Sequence, residues 1–545
     1  MAVLTNSKSM PATFLKNVFS RKDVSVFCFS LAIVIKILLF FYFQQTDNDK
    51  LFQAMAGKNL VEGHGLTIKQ VLANNLSKES YERLVGWPPG YSVLFAIIYS
   101  LCKNVDVSCT IIDLICIVSF FILLQKLLRQ LKFPDYLINV LVLFNGFAIK
   151  GYIEKSAPTD FLTLLLFVYN SYLTIKVFTQ KNPVVPGILL VFFNVLPAWF
   201  RYLCIPVTFV IPGVLLWNGW LKKDRKYLLY GTCTMAMALL GVIALLSFQE
   251  PYVIPTERGI FWSNLLHVNP VLFSSFMNLK FILIQLSHFT GFSYITVELI
   301  FQRINIVPFV ILLALLFYAS LKRKWLAADP SQVFMTIGTL TGICIFSVLA
   351  LLSLTHSAHF MLTERFFWTY VLEDRYFIIL QFFIVILTAK WLFMNPAAVF
   401  PFKKWAQGLL LFLFTIEILH SAYYLAANFT YDKRNFTYIV TQNKMIQCID
   451  NIIKKNNNTD VVVAGNNNMA NRSVLMGGKG LFVPAALNEK EIYADKPTKL
   501  IAVVKRSQLP FYKSFLEKEG VLLEAQIGAF YFYSYNVKPN TVLKD

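Results

Sequence analysis

Apolar runs, recurring with short polar breaks from Val24 to about Ala426, decide what this chain can become. Each is long enough, or nearly so, to cross roughly 30 Å of hydrocarbon. Inside a bilayer every backbone N–H and C=O must find its partner within the protein, and a helix does this locally. The runs therefore predict a polytopic α-helical membrane protein. Charge content agrees: Asp, Glu, Lys and Arg supply 15% of the 545 residues, against about 25% in a soluble domain. The mean hydropathy is +0.58. Past residue 426 the composition turns to Asn, Lys and Glu with short apolar stretches, which predicts a soluble domain over 427–545 behind a membrane domain over 1–426.

The net charge of +20 would suit nucleic acid, but its distribution does not. Lys and Arg sit in clusters between the apolar runs, the pattern of topology signals rather than of a basic face. With the N-terminal cluster Lys8, Lys16, Arg21 and Lys22 placed inside, the first run is a retained signal anchor and the stretch 44–90 becomes the first external loop. Tyr91–Cys102 is apolar but only about a dozen residues long, short for a span. As an interfacial or re-entrant helix opened by Pro88 and Pro89, it brings Lys126/Arg129/Lys132, Lys222 to Lys226, Lys322 to Lys324 and Lys403/Lys404 all to the cytoplasmic side.

About eleven spans follow: 24–43, 107–127, 136–150, 160–177, 184–200, 202–218, 227–248, 304–321, 331–354, 376–394 and 405–426. The first loop, the tail domain and the segment 249–303 then lie outside. The tail reads as a small α/β domain, with a helix Ile439–Lys455, strands at Val461–Ala464 and Leu500–Val504, a helix Tyr512–Glu519 and a β-rich end. The eight cysteines have no metal-ligand spacing and read as small buried hydrophobes. Cys102 and Cys109 flank a polar break, and a disulfide between them stays open.

Polar groups at the outer rim are the candidates for chemistry. Asp47 and Asp49 stand just after the first span in Thr46-Asp47-Asn48-Asp49-Lys50, a position that is also an ordinary solvated loop start. An amphipathic helix follows from Leu51 and stops at Gly63-His64-Gly65. Next comes Gly86-Trp87-Pro88-Pro89-Gly90-Tyr91-Ser92. Asp160 opens a span after Thr159, where a helix cap is the plainer reading, with Glu154 and Lys155 in the same short loop. Arg201, Arg258, Arg303, Arg365 and Arg375 offer positive charge outside, although arginine at a helix end also anchors to headgroups. Asp113, Glu417 and His420 are intramembrane suspects, and Asp113 also suits a simple pair with a neighbouring helix. Gly477-Gly478-Lys479-Gly480 lacks the spacing of a phosphate loop.

An acid just after the first span, the Gly-x-Gly stop and the Trp-Pro-Pro-Gly-Tyr opening of a short apolar helix together resemble the C-type (GT-C) glycosyltransferases. These include the protein O-mannosyltransferases and the aminoarabinose transferases of lipid A. The specific motifs occupy roughly residues 45–100. The resemblance implies transfer of a sugar from a polyprenyl-phosphate carrier to a lipid, glycan or protein acceptor on the outer face, with inversion. It implies a general base in the first external loop: Asp49 by its spacing to Phe52 and Ala56, with Asp47 as runner-up. Asn48 stands between them where the family often has adjacent acids, and Phe52 where it usually has Tyr. Asp160 resembles the family's acid at a span mouth. Arg375 with Tyr376, then Arg201 and Arg258, are the implied grips on the donor phosphate. His64, Trp87, Pro88, Pro89, Tyr91, Glu154 and Lys155 are the implied substrate-loop residues. No cofactor is required by the sequence; a divalent cation stays open. The rival reading is a transporter or flippase of lipid-linked sugars, for which the internal repeats of such carriers are not visible. The Lys/Asn/Ile/Phe-rich composition reads as bacterial, which would place the chain in the inner membrane.

Overall fold

Prolines, glycines and charged residues set where the helices begin and end. The computed structural model describes residues 18–43, 48–72, 74–84, 86–147, 158–248, 329–355, 378–394, scattered positions from 404 to 422, 437–456, 459–482, 487, 492–537 and 539. The chain divides into two compact units, one of Met1–Leu39 with Leu114–Leu425, the other of Phe40–Asp113 with Ala426–Asp545.

The first unit is helical. Its described elements are the larger part of α1 (Lys22–Phe43), and the same of a helix Val105–Gln130 taken up below. Around these stand helices at Asp135–Phe147, Pro158–Thr179, Val184–Phe193, Leu196–Phe200, Val210–Lys222, Arg225–Ser247, Pro330–Thr355 and Ile378–Met394. Among the described residues, four helical stretches are long and apolar enough to cross a membrane: Val105–Gln130, Thr159–Thr179, Tyr202–Lys222 and Arg225–Ser247. The chain is thus a mostly helical membrane protein by the length and composition of its helices. The expected span 304–321 lies outside the described residues.

One expected pair of spans differs in detail. The runs 184–200 and 202–218 are not two plain helices, because the chain breaks at Asn194, passes through Arg201 in an extended conformation and makes two 3-10 turns before Val210. Pro197 and Pro206 bring no N–H to a helical ladder, so the backbone there needs other partners. The buried Asn194 supplies one, its Nδ2 donating to the Thr208 carbonyl at 2.6 Å.

The second unit mixes helices and sheet. Helix α2 (Asn48–Val61) stops at Gly63 and Gly65, which hold φ of +88° and +72° that a side chain would strain. A hairpin follows, β1 (Thr67–Leu72) paired antiparallel with β2 (Asn75–Arg83). Helix α3 (Gly90–Cys102) has 13 residues, about 20 Å at 1.5 Å per residue, too little to cross the hydrocarbon. Helix α4 (Val105–Gln130) begins in this unit. All eight cysteines are free, so Cys102 and Cys109 are not bonded to each other.

The tail supplies α5 (Thr437–Lys455), β3 (Asp460–Ala464), α6 (Asn467–Leu475), β4 (Lys479–Leu481), β5 (Thr498–Lys505), α7 (Lys513–Leu516), β6 (Leu522–Ile527) and β7 (Phe530–Val537). Its sheet has the order β4-β3-β5-β7-β6, parallel on the β4-β3-β5 side and antiparallel beyond. Strand alternation sorts the core. Val461, Val463, Ile501 and Val503 face Met445 and Ile449 of α5. Val462, Ala464, Leu500, Ala502 and Val504 face the other way, toward Tyr512, Phe515 and also Val71 and Leu76 of the first-loop hairpin. The expected helix Tyr512–Glu519 is shorter than its sequence suggests, since Pro510 holds the preceding turn in 3-10 form and Gly520 follows with φ +88°.

Candidate active site

Asp49 sits in the first turn of α2, where the unpaired N–H groups of a helix start favour a carboxylate. It is half-buried, and its backbone carbonyl accepts from Gln53 Nε2 at 3.0 Å. Positions three and four residues along a helix share its face, so Phe52 and Gln53 stand beside Asp49. Phe52 stacks on Trp87, with centroids 5.1 Å apart, and meets Phe482 of the tail at 5.4 Å. Pro88 and Pro89, which follow Trp87, are buried. Tyr91, also buried, donates its hydroxyl to Cys109 Sγ at 3.8 Å, which joins α3 to α4.

The helix carrying Asp49 is held on several sides. Lys50 Nζ meets Asp113 Oδ2 at 2.7 Å, with both side chains nearly excluded from solvent. Asp113 therefore does pair with a neighbouring helix, through Lys50. Gly57 lies so close to α3 that a Cβ there would stand 2.5 Å from the Ser92 carbonyl oxygen. Lys58 Nζ donates to the Val474 and Leu475 carbonyls at 3.4 and 3.3 Å. Burial draws the Lys58 ammonium below the ordinary lysine value, Glu62 opposing and Lys69 assisting.

His64 belongs to the far end of α2. Its ring stacks on Tyr81 with centroids 4.1 Å apart, and some 20 Å of helix separate it from Asp49. The structure thus gathers Asp49, Trp87 and Pro88–Pro89 at one end of α2 and leaves His64 at the other.

The helical unit holds the other described candidates. Asp160 is fully buried in the first turn of Pro158–Thr179, and its carboxylate forms an ion pair with Arg201. Arg201 occupies the extended break described above, with Trp199 Nε1 donating to the Gly241 carbonyl at 3.2 Å nearby in sequence. Along Val210–Lys222 and Pro330–Thr355 runs an apolar groove of about 670 Å³, lined by Phe209, Val214, Trp217, Leu221, Leu340 and Cys344. Asp47, Glu154, Lys155, Arg258, Arg375 and Tyr376 lie outside the described residues, as do Arg303, Arg365, Glu417 and His420. Among the described residues no three His, Cys, Asp or Glu side chains cluster as a metal site.

Several buried or packed polar and aromatic residues carry no mark in the motifs. Lys36 is fully buried within α1, and its signal, a lone ammonium in an apolar run, was present in the sequence. Lys50, Gln53 and Phe482 have no such signal, because their neighbours are set by packing between distant segments.

No protein-family model matches the chain, and no curated protein matches it in sequence. Among solved structures it is similar to the archaeal oligosaccharyltransferase AglB from Archaeoglobus fulgidus in complex with an inhibitory peptide and a dolichol-phosphate. The identity is 10%, the match covers 94% of this chain and 74% of that one, and the TM-score is 0.40.

Proposed function

We propose that this chain is a membrane glycosyltransferase that moves a sugar from a polyprenyl-phosphate carrier to an acceptor hydroxyl on the non-cytoplasmic face, with Asp49 as general base. The observation that carries the reading is the setting of Asp49: a carboxylate at a helix start, beside a stacked Phe52–Trp87 pair and one residue from a buried ion pair. A solvated loop residue needs none of that support.

In the proposed reaction the Asp49 carboxylate takes the proton of the acceptor hydroxyl. The freed oxygen pair attacks the anomeric carbon from the side opposite the phosphate, and the carbon–oxygen bond to the carrier breaks with its electrons on the departing phosphate. One displacement inverts the anomeric configuration. Arg375, Arg201 and Arg258 are the cations assigned to that phosphate, where a guanidinium matches two phosphate oxygens at once. For Arg201 the buried Asp160 supports the assignment, since a paired carboxylate fixes the direction of the guanidinium. Asp160 then acts by orienting Arg201, and Asp47 remains the runner-up base. The apolar groove beside Val210–Lys222 suits an isoprenoid or acyl chain. The first loop 44–90 and the tail 427–545 are assigned to the outer face of a bacterial inner membrane.

Native mass spectrometry of the purified protein, followed by a transfer assay with the lipid it retains, tests the reading. A co-purified polyprenyl-phosphate sugar, consumed when an acceptor is added, is the expected result. Movement of that lipid across a liposome bilayer without transfer would replace the enzyme with a flippase.

A further inference from the structure

We propose that the tail domain is a brace for the Asp49 helix, and that Arg472 is the positioning residue at its centre; this rests on the glycosyltransferase reading above. Three helices make up the frame: α2, the outer part of α4 and α6 of the tail. Each pair is joined by a charged link.

The first side joins α2 to α4 through Lys50 and Asp113, 2.7 Å apart and buried. The second joins α4 to α6. Arg472 of α6 reaches Asp106, in the first turn of α4, with two parallel bonds: Nη1 to Oδ1 at 2.7 Å and Nη2 to Oδ2 at 3.1 Å. The third joins α6 back to α2, where Lys58 Nζ reaches the terminal carbonyls of Val474 and Leu475. Asp106 and Asp113 are seven residues apart, two turns of helix, and so lie on one face of α4. That face holds α6 at one end and α2 at the other.

Arg472 does more than close one side. Its Nε and Nη2 also donate to Asp450 of α5 at 3.1 and 2.8 Å, so two carboxylates from different elements share one guanidinium. The side chain is about 10% exposed. Burial works against its charge, and Asp450 and Asp106 together outweigh burial, holding the guanidinium above its ordinary pKa. Apolar contacts would fasten a domain with less desolvation cost. What the planar fork adds is direction, because two parallel bonds fix orientation where a greasy contact allows sliding. The hairpin β1–β2 adds a second attachment of the loop to the tail: Leu76 N donates to the Tyr493 carbonyl at 2.8 Å, and Lys479 of β4, paired within the tail to Asp460 at 2.7 Å, reaches Glu79 of β2 at 3.6 Å.

A base must sit within a fraction of an ångström of the proton it takes, and a displacement of about 1 Å can cost on the order of 10²-fold in rate. The frame therefore sets kcat rather than donor affinity. The test uses the full-length protein in nanodiscs, with hydrogen exchange read over residues 48–61 beside steady-state transfer. Arg472→Met and Asp106→Asn are expected to speed exchange in 48–61 by roughly tenfold or more and to lower kcat about 10²-fold, with donor KM within about threefold. Arg472→Lys, which keeps charge but loses the fork, is expected to fall between. Asp106 is the more exposed partner, so its variant keeps the test open should Arg472→Met fail to fold. Unchanged exchange in 48–61, with the tail peptides still protected, would overturn the brace and leave the enzymatic reading standing. No transfer by the wild-type protein would overturn the enzymatic reading, and wild-type transfer by Asp49→Asn would overturn the assignment of the base, while the exchange result still decides the brace.

Discussion

Breaking the Lys50–Asp113 pair from one side only will loosen the start of α2 far more than replacing both partners. At 2.7 Å and an effective dielectric constant of about 20, the two charges attract by about 6 kcal/mol. Removing two ions from water costs several kcal/mol each, so the intact pair is close to neutral overall. A survivor loses the opposite charge nearest to it. Lys50→Met or Asp113→Leu should each cost about 3–5 kcal/mol, the usual penalty of breaking a buried pair from one side. At about 1.4 kcal/mol per factor of ten, exchange of the amides in 48–61 should quicken roughly 100- to 3,000-fold. The double variant Lys50→Met/Asp113→Leu leaves no charge behind and should return within about tenfold of wild type. Hydrogen exchange followed by mass spectrometry on intact protein reads all four states. Additive losses in the double variant, or a single variant with wild-type exchange, would refute the account of this pair.

Three further outcomes follow from the same packing. Gly57→Ala should disrupt the α2–α3 contact and cost about 1–3 kcal/mol, because the added methyl meets the Ser92 backbone; wild-type thermal stability in that variant would contradict the close approach. Single cysteines introduced between residues 74 and 84 of an otherwise cysteine-free protein should react with an impermeant maleimide added to right-side-out vesicles; labelling only after permeabilisation would put the first loop in the cytosol and end the functional reading. Lys58 has a folded-state pKa below its unfolded one, so between the two values the unfolded chain binds more protons and stability rises with pH. The melting temperature of wild type relative to Lys58→Met should therefore climb as pH approaches the ordinary lysine value of about 10.4, and a flat difference would show that burial does not perturb this group.

Much of the helical unit was legible because the bilayer writes its constraint into a local signal. The runs at 107–127, 160–177 and 227–248 correspond to helices with ends shifted by only a few residues. The short helix after Pro88–Pro89 and the Gly63–Gly65 stop were equally local. The hairpin at 67–83 was not, since its strands alternate Lys, Gln, Glu and Ser, and only Val71 and Leu76 are core. Their burial depends on a sheet some 400 residues later in the chain, which no window of sequence reveals. Asp160 and Arg201 were both visible as charges at the ends of apolar runs, but their pairing was not, because it follows from how two helix ends approach. The break at Asn194 and the 3-10 turns up to Phe209 were hidden for another reason: the apolar content on either side of Arg201 fits two plain spans, and Asn194 repairs the gap from inside.

Transfer in the proposed reaction depends on Asp49. Purified protein carrying Asp49→Asn, reconstituted with a polyprenyl-phosphate sugar and acceptor, should retain its helix content and donor binding while transfer falls about 10²- to 10⁴-fold, the usual contribution of a general base. Transfer at the wild-type rate in Asp49→Asn, with Asp47→Asn equally active, would remove the base and the mechanism with it.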